Sequence, residues 1–299
     1  MTYCARPLIA CLLAACFFAP AADDASKPLR PIEGFPQWPA ESPLVACSAV
    51  ATNSKGEVLL FRRFEPPILV FKPSGEFVRA FGKGLFKSPH GLRVDRDDNI
   101  WVTDNAEHTV MKLDRDGHVL LSLGERGVPG EDPKHFNKPT DVAVAENGDF
   151  FVSDGYGNSR VVKFDRDGKY LLTWGRKGKG PGEFNLPHAV RIDSKGSVYV
   201  ADRENRRIQV FDQNGKFLKQ FEGMSPFGLF ITPADEIYIA DGRDNKILKL
   251  TTEGKELASW GATGIKPGEF KMPHGITVGA DGTIYVSEID GKRVQKFGQ

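Results

Sequence analysis

Residues 186–216 decide the fold: Leu186-Pro187-His188-Ala189-Val190, then Asp193-Ser194-Lys195-Gly196-Ser197-Val198-Tyr199-Val200-Ala201-Asp202, then Asn205-Arg206-Arg207-Ile208-Gln209-Val210-Phe211, and Asn214-Gly215-Lys216. A proline-led strand meets a turn with Asp and Gly, a second strand closes on Asp, a third alternates apolar and polar, and a second glycine turn opens a fourth. Val198-Tyr199-Val200 and Ile208-Gln209-Val210-Phe211 alternate with the period of two that belongs to strands. Turns such as Arg115-Asp116-Gly117, Arg166-Asp167-Gly168 and Gln213-Asn214-Gly215 supply residues that tolerate positive φ in tight hairpins.

The same order recurs behind leading prolines at Pro43, Pro89, Pro139, Pro187, Pro226 and Pro273. Steps of roughly 40 to 50 residues with four strands each are the signature of propeller blades. The chain therefore reads as all-β, a six-bladed β-propeller of four-stranded repeats over residues 39–299. Glycine and proline, 32 and 20 of 299 residues, suit short strands and tight turns better than long helices. Forty basic residues against 39 acidic ones leave no field that would draw nucleic acid or anionic lipid by charge alone.

The first residues read differently. Arg6, the apolar run Leu8 to Ala19 and the small-x-small site Ala19-Pro20-Ala21 predict a secretory signal over residues 1–21, too short for a comfortable membrane span. The expectation is an exported chain, secreted or periplasmic, with no transmembrane helix. Leu13-Ala14-Ala15-Cys16 has the form of a lipobox, so anchoring through a lipid on Cys16 is the alternative. Residues 22–38 read as a flexible leader. Cys4, Cys11 and Cys16 all lie in the signal, which leaves Cys47 alone, with no intramolecular disulfide. A monomer is expected.

Ring closure brings equivalent positions of successive blades around one axis. The residues after the leading prolines are Leu44, His90, Thr140, His188, Phe227 and His274, so histidine falls on blades two, four and six. Three imidazoles with an open fourth position are the ligand set of a catalytic zinc site. A single such histidine would pass as a hydrogen-bonded structural residue; three of the six in the chain at one repeat position argue for a shared metal. The others, His108, His118 and His135, fall in connecting contexts where solvent exposure is expected.

The second strands close on Asp104, Asp154, Asp202 and Asp241, with Glu288 in blade six and Arg62 in blade one. These acids read as acceptors of backbone hydrogen bonds at strand ends. The next position holds Arg63 and Arg203 on opposite blades, a pair that could hold a carboxylate between them, although arginine is also common on surfaces and the pattern alone leaves both readings open. Tyr156, between Gly155 and Gly157, can project a phenol over the axial opening, where general-base work is chemically reasonable; a packing or surface tyrosine is the equal alternative.

These residues also resemble a known family. Ser88-Pro89-His90-Gly91-Leu92, Asp154-Gly155-Tyr156-Gly157-Asn158-Ser159-Arg160, Leu186-Pro187-His188, Asp202-Arg203-Glu204-Asn205 and Met272-Pro273-His274-Gly275 are similar to the NHL-repeat propellers of the peptidyl-α-hydroxyglycine α-amidating lyases. The resemblance implies NHL-type repeats; zinc on His90, His188 and His274; Tyr156 as base; Arg63 and Arg203 near the substrate; Met272 lining the pocket; and a structural calcium that takes the Leu92 carbonyl. It implies a metal-dependent carbon–nitrogen lyase that splits a small peptide-like or α-hydroxylated amide substrate into an amide and glyoxylate. The chain departs from the animal members at Gly275, where they carry a calcium-binding Asp, and at Gly157, where a cysteine is expected. No hydroxylase domain precedes the propeller in this sequence. The alternative is a non-catalytic propeller that binds a protein or glycan in the envelope or outside the cell, which has no need of three axial histidines.

Overall fold

The computed structural model describes residues 28–298. The signal segment and the lipobox lie outside the described residues. Strands β1 to β24 form six four-stranded antiparallel sheets in a ring, a six-bladed β-propeller as the repeat predicted. The innermost strands are β2 (Cys47–Thr52), β6 (Pro89–Val94), β10 (Pro139–Val144), β14 (Pro187–Ile192), β18 (Pro226–Ile231) and β22 (Pro273–Val278). Among the described residues no helix is long and apolar enough to cross a membrane.

The period of two has a direct structural meaning. In β15 (Val198–Asp202) every residue is buried, because both faces of a blade are covered. Val198 and Val200 pack toward blade three, while Tyr199 and Ala201 pack toward blade five. The core is thus not one central mass but six apolar clusters, each shared by two neighbouring blades. Only the outer strands, such as β13 (Tyr170–Trp174), alternate between exposed and half-buried positions. Water exclusion between blades, with roughly 25 cal/mol per Å² of apolar surface, supplies the stability.

Two boundaries differ from the sequence expectation. Blade six draws its outer strand from the start of the chain: β1 (Arg30–Ile32) pairs with β24 (Val294–Gly298), Pro31 opposite Phe297. Behind it Phe35 packs 5.1 Å from the Tyr285 ring and Trp38 5.9 Å from Phe71. Residues 28–38, expected as part of a flexible leader, are therefore built into the ring, and the propeller begins before residue 39. The cause is geometric, since a ring of open sheets needs a strand from one terminus to close against the other.

The second correction concerns blade one. Cys47 pairs with Arg62 as Pro89 does with Asp104, Pro187 with Asp202 and Pro273 with Glu288. The strand starts at Cys47, not Pro43, and its axial residue is Ser48, not Leu44, which is 59% exposed. A cysteine fills the slot that proline holds in the other five blades, and this hid the register. The Cys47 thiol is buried and pushed up to about 12 by that burial.

Candidate metal centre

In every innermost strand the ladder slips just after its first residue. The residue skipped is Ser48, Thr140, His188, Phe227 or His274 in five blades, and His90 with Gly91 in blade two. Such bulges re-aim a side chain out of the sheet, and here they turn one residue per blade to the axis. Gly91 has no room for more: a Cβ there would lie 2.5 Å from the Thr140 carbonyl oxygen of the next blade.

The three histidines meet as their spacing implied. Ring centroids are 4.8 Å apart for His90 and His188, 5.0 Å for His90 and His274, and 4.8 Å for His188 and His274. One ligand nitrogen from each lies within 4.8 Å of the others. Each Nδ1 donates to the axial carbonyl of the following blade: His90 to Thr140 at 2.7 Å, His188 to Phe227 at 2.6 Å, His274 to Ser48 at 2.6 Å. A carbonyl only accepts, so Nδ1 carries the proton and Nε2 keeps its lone pair. This is the tautomer and the outer-sphere support that a metal-ligating histidine requires.

Burial keeps the rings neutral. It pushes His90 down to about 3, and the charges of Arg63, Arg203 and Arg93 act in the same direction. His188 and His274 lie well below the ordinary histidine range, first through burial and then through the neighbouring histidines and arginines. Neutral imidazoles with converging lone pairs fit a borderline cation such as zinc.

Above the triad stands Tyr156, its hydroxyl 3.3 Å from His90 Nε2 and 3.1 Å from His188 Nε2. One phenolic proton faces two acceptors, so one lone pair is left over, a mismatch that a cation removes. The flanking glycines are required by close approach. A Cβ at Gly155 would sit 2.0 Å from the Pro187 carbonyl oxygen, and one at Gly157 2.1 Å from the Asn137 side chain.

Arg203 opens a short 3-10 turn, Arg203–Asn205. Its Nη1 donates to the Tyr156 hydroxyl at 3.2 Å and its Nε to Glu204 at 2.9 Å. The guanidinium also covers the Phe227 ring at 4.5 Å. Glu204 in turn accepts from Arg243. Arg63, Arg203, Tyr156, Met272 and His274 line one cavity of about 650 Å³, with Phe227 as its apolar wall. Four cationic residues there, Arg63, Arg203, Arg243 and Lys271, outnumber the acids Glu204 and Asp290. Met272 holds a left-handed backbone at φ 53, and its N–H donates to Asn245 Oδ1 at 2.8 Å.

The strand-end acids act as acceptors. Asp202, fully buried, takes the Asn185 N–H at 2.7 Å and Arg207 Nε at 2.8 Å; Asp104 takes the N–H groups of Lys87 and Glu107. Arg62 holds the corresponding loop of blade one with opposite polarity, donating to the Pro66 carbonyl at 3.1 Å. Of the histidines expected in solvent, His118 is exposed and His135 is partly covered beside Asp132. His108 is a correction. It is buried, because its Nδ1 accepts the Lys138 N–H at 3.0 Å and ties blade two to blade three. Sequence reasoning missed Glu204 and Arg243, although Glu204 stands beside a residue it singled out.

The calcium expectation finds a poor donor set. A Cβ at Gly275 would lie 2.5 Å from Ser287 Oγ, so an acid does not fit there without displacement. The Leu92 side chain is buried in the apolar cluster between blades one and two, and its sequence neighbour Arg93 reaches the Asp141 carboxylate at 3.1 Å.

Several known proteins are similar to this chain in sequence or fold. The NHL repeat model matches residues 86–113 and 270–297, and a six-bladed β-propeller model matches residues 131–222. A probable peptidyl-α-hydroxyglycine α-amidating lyase of Caenorhabditis elegans is 36% identical over 242 residues, 76% of this chain and 68% of that protein. Human NHL repeat-containing protein 3 is 32% identical, covering 88% of this chain and 82% of that protein. Peptidyl-glycine α-amidating monooxygenase B of Xenopus laevis is 38% identical over 253 residues, and the match spans 78% of this chain but 29% of that longer protein. Among solved structures a streptogramin B lyase superposes with TM-score 0.65 at 17% identity, over 90% of this chain and 97% of that one, a likeness of fold. On these matches, the chain belongs to the NHL-repeat propeller family that includes the peptidyl-α-hydroxyglycine α-amidating lyases.

Proposed function

We propose that this propeller is a zinc-dependent lyase that cleaves the C–N bond of a peptidyl-α-hydroxyglycine-like substrate, releasing an amide and glyoxylate. The observation that carries the reading is the convergence of three neutral Nε2 atoms under a tyrosine hydroxyl that an arginine also touches. His90, His188 and His274 would hold the ion. Bound there, zinc supplies a Lewis acid that polarises the substrate hydroxyl.

The chain's own groups supply the rest. Arg203 and Arg63, across the opening from each other, hold the substrate carboxylate in the cationic pocket. Tyr156 takes up the hydroxyl proton as the C=O of glyoxylate forms and gives its own phenolic proton to the departing amide nitrogen as the C–N bond breaks, so it ends the cycle as it began. Atoms balance without water or a redox partner. Phe227 and Met272 present apolar surface to the peptide side of the substrate. Similarity to a protein named for its repeats alone means that the repeats do not argue for catalysis by themselves; the axial site does. The non-catalytic alternative leaves its three supported imidazoles without a purpose.

Incubation of the purified zinc-loaded chain with a synthetic peptidyl-α-hydroxyglycine tests the reading. Glyoxylate and peptide amide appearing in equal amounts, above the spontaneous rate, support it. A zinc-loaded chain that leaves the substrate intact contradicts it. Residues 1–21 enter the proposal as an export signal, with lipid anchoring through Cys16 as the alternative, and N-terminal mass determination of the exported chain distinguishes the two.

A further inference from the structure

Below the histidines the channel holds a second polar cluster that the proposed chemistry does not use. Arg93 and Arg191 stand three residues after His90 and His188 on β6 and β14, and Asp141 follows Thr140 on β10. Asp141 Oδ2 accepts from Arg93 Nη2 at 3.1 Å and from Arg191 Nη1 at 2.9 Å. The side chains are 15%, 9% and 3% exposed for Arg93, Arg191 and Asp141.

Two guanidiniums share one carboxylate, which leaves one positive charge uncompensated. Hydrogen bonding is incomplete too: Arg93 Nε and Nη1 and Arg191 Nε and Nη2 are buried without partners, and so is Asp141 Oδ1. Buried donors of this kind seek an acceptor, and charged ones seek an anion. Both arginines also line a cleft of about 830 Å³. The cleft lies at the far ends of the innermost strands, among the turns at Asp95, Glu146 and Pro233, so it opens on the face opposite Tyr156.

We propose that this lower mouth of the axial channel binds a small oxyanion that still carries a proton, of the hydrogen-phosphate class, on Arg93 and Arg191. The unprotonated oxygens accept from the two guanidinium edges, whose planar forks match such geometry. The remaining proton is donated to Asp141 Oδ1, an acceptor that would repel a fully ionised anion. Sulfate, which has no proton to give at neutral pH, is therefore the poorer ligand. The site is independent of the lyase reading, because none of its atoms belongs to the histidine centre.

The test is thermal melting and calorimetric titration of the metal-loaded chain at pH 7 with inorganic phosphate, with sulfate at equal ionic strength, and with calcium chloride. Phosphate is expected to bind saturably and about tenfold or more tightly than sulfate. Arg191→Lys, which keeps a cation for Asp141 but loses the free fork, should abolish that binding with the far-UV spectrum unchanged. Asp141→Asn, which offers an N–H, should raise sulfate binding. No saturable phosphate effect would overturn the proposal and leave water as the occupant. A phosphate effect that survives Arg191→Lys would also overturn it, as would stabilisation by calcium that depends on Asp141.

Discussion

Lowering the pH from 7.5 to 5.5 on the metal-free chain should cost about 4 kcal/mol of stability through His90, His188 and His274 alone. Their folded-state values are depressed, His90 to about 3 and the other two well below the ordinary range. An unfolded imidazole titrates near 6.5. Depression means that the unfolded state takes up protons which the fold refuses, so stability is present above pH 6.5 and is lost as pH falls below it. Over that interval each histidine contributes about 1.4 kcal/mol, the value of one pKa unit, and the three are buried enough to act fully, at 2–5% exposure. Urea unfolding at the two pH values measures the loss. His90→Gln should remove about a third of it, and the triple Gln variant nearly all. Zinc should add stability at pH 7.5 and be released as pH falls. An equal loss in parent and triple variant would refute the reasoning, since the titrating groups would then lie elsewhere.

Three further outcomes are expected. Tyr156→Phe keeps the ring but removes the hydroxyl that touches His90, His188 and Arg203, so metal content should hold while turnover falls by about 10²–10⁴; the two are read by metal analysis and a glyoxylate assay. Gly155→Ala drives a Cβ to 2.0 Å from the Pro187 oxygen and should cost about 1–3 kcal/mol by urea unfolding, as overpacking does. Asp202→Ala strands the buried Arg207 guanidinium and should cost about 3–5 kcal/mol by the same measurement, with zinc still bound.

The axial site was legible because it obeys the repeat. His90, His188 and His274 occupy one position on alternate blades, and a ring converts that spacing into proximity without knowledge of a single contact. The strand-end acids were legible for the same reason. What sequence could not show lies where the repeat is broken or where neighbours are distant in the chain. Cys47 replaces a leading proline and shifted the reading of blade one by four residues, from Leu44 to Ser48. Strand β1 closes blade six across nearly the whole chain length, a pairing with no local pattern. His108 looked like a loop residue, yet the Lys138 N–H makes it an internal acceptor. The carbonyls that orient the three imidazoles are backbone atoms of other blades, so their role has no residue type to announce it. Glu204 and Arg243 are 39 positions apart, and only the fold shows that they brace Arg203.

The central claim is that His90, His188 and His274 form one metal site, and metal analysis of the purified, zinc-reconstituted chain beside single His90→Ala, His188→Ala and His274→Ala variants tests it most directly. The account predicts about one zinc per parent chain and loss of tight binding in every variant, with the propeller still folded by far-UV spectroscopy. A parent chain that stays folded and takes up no metal, or variants that keep it in full, would contradict the claim.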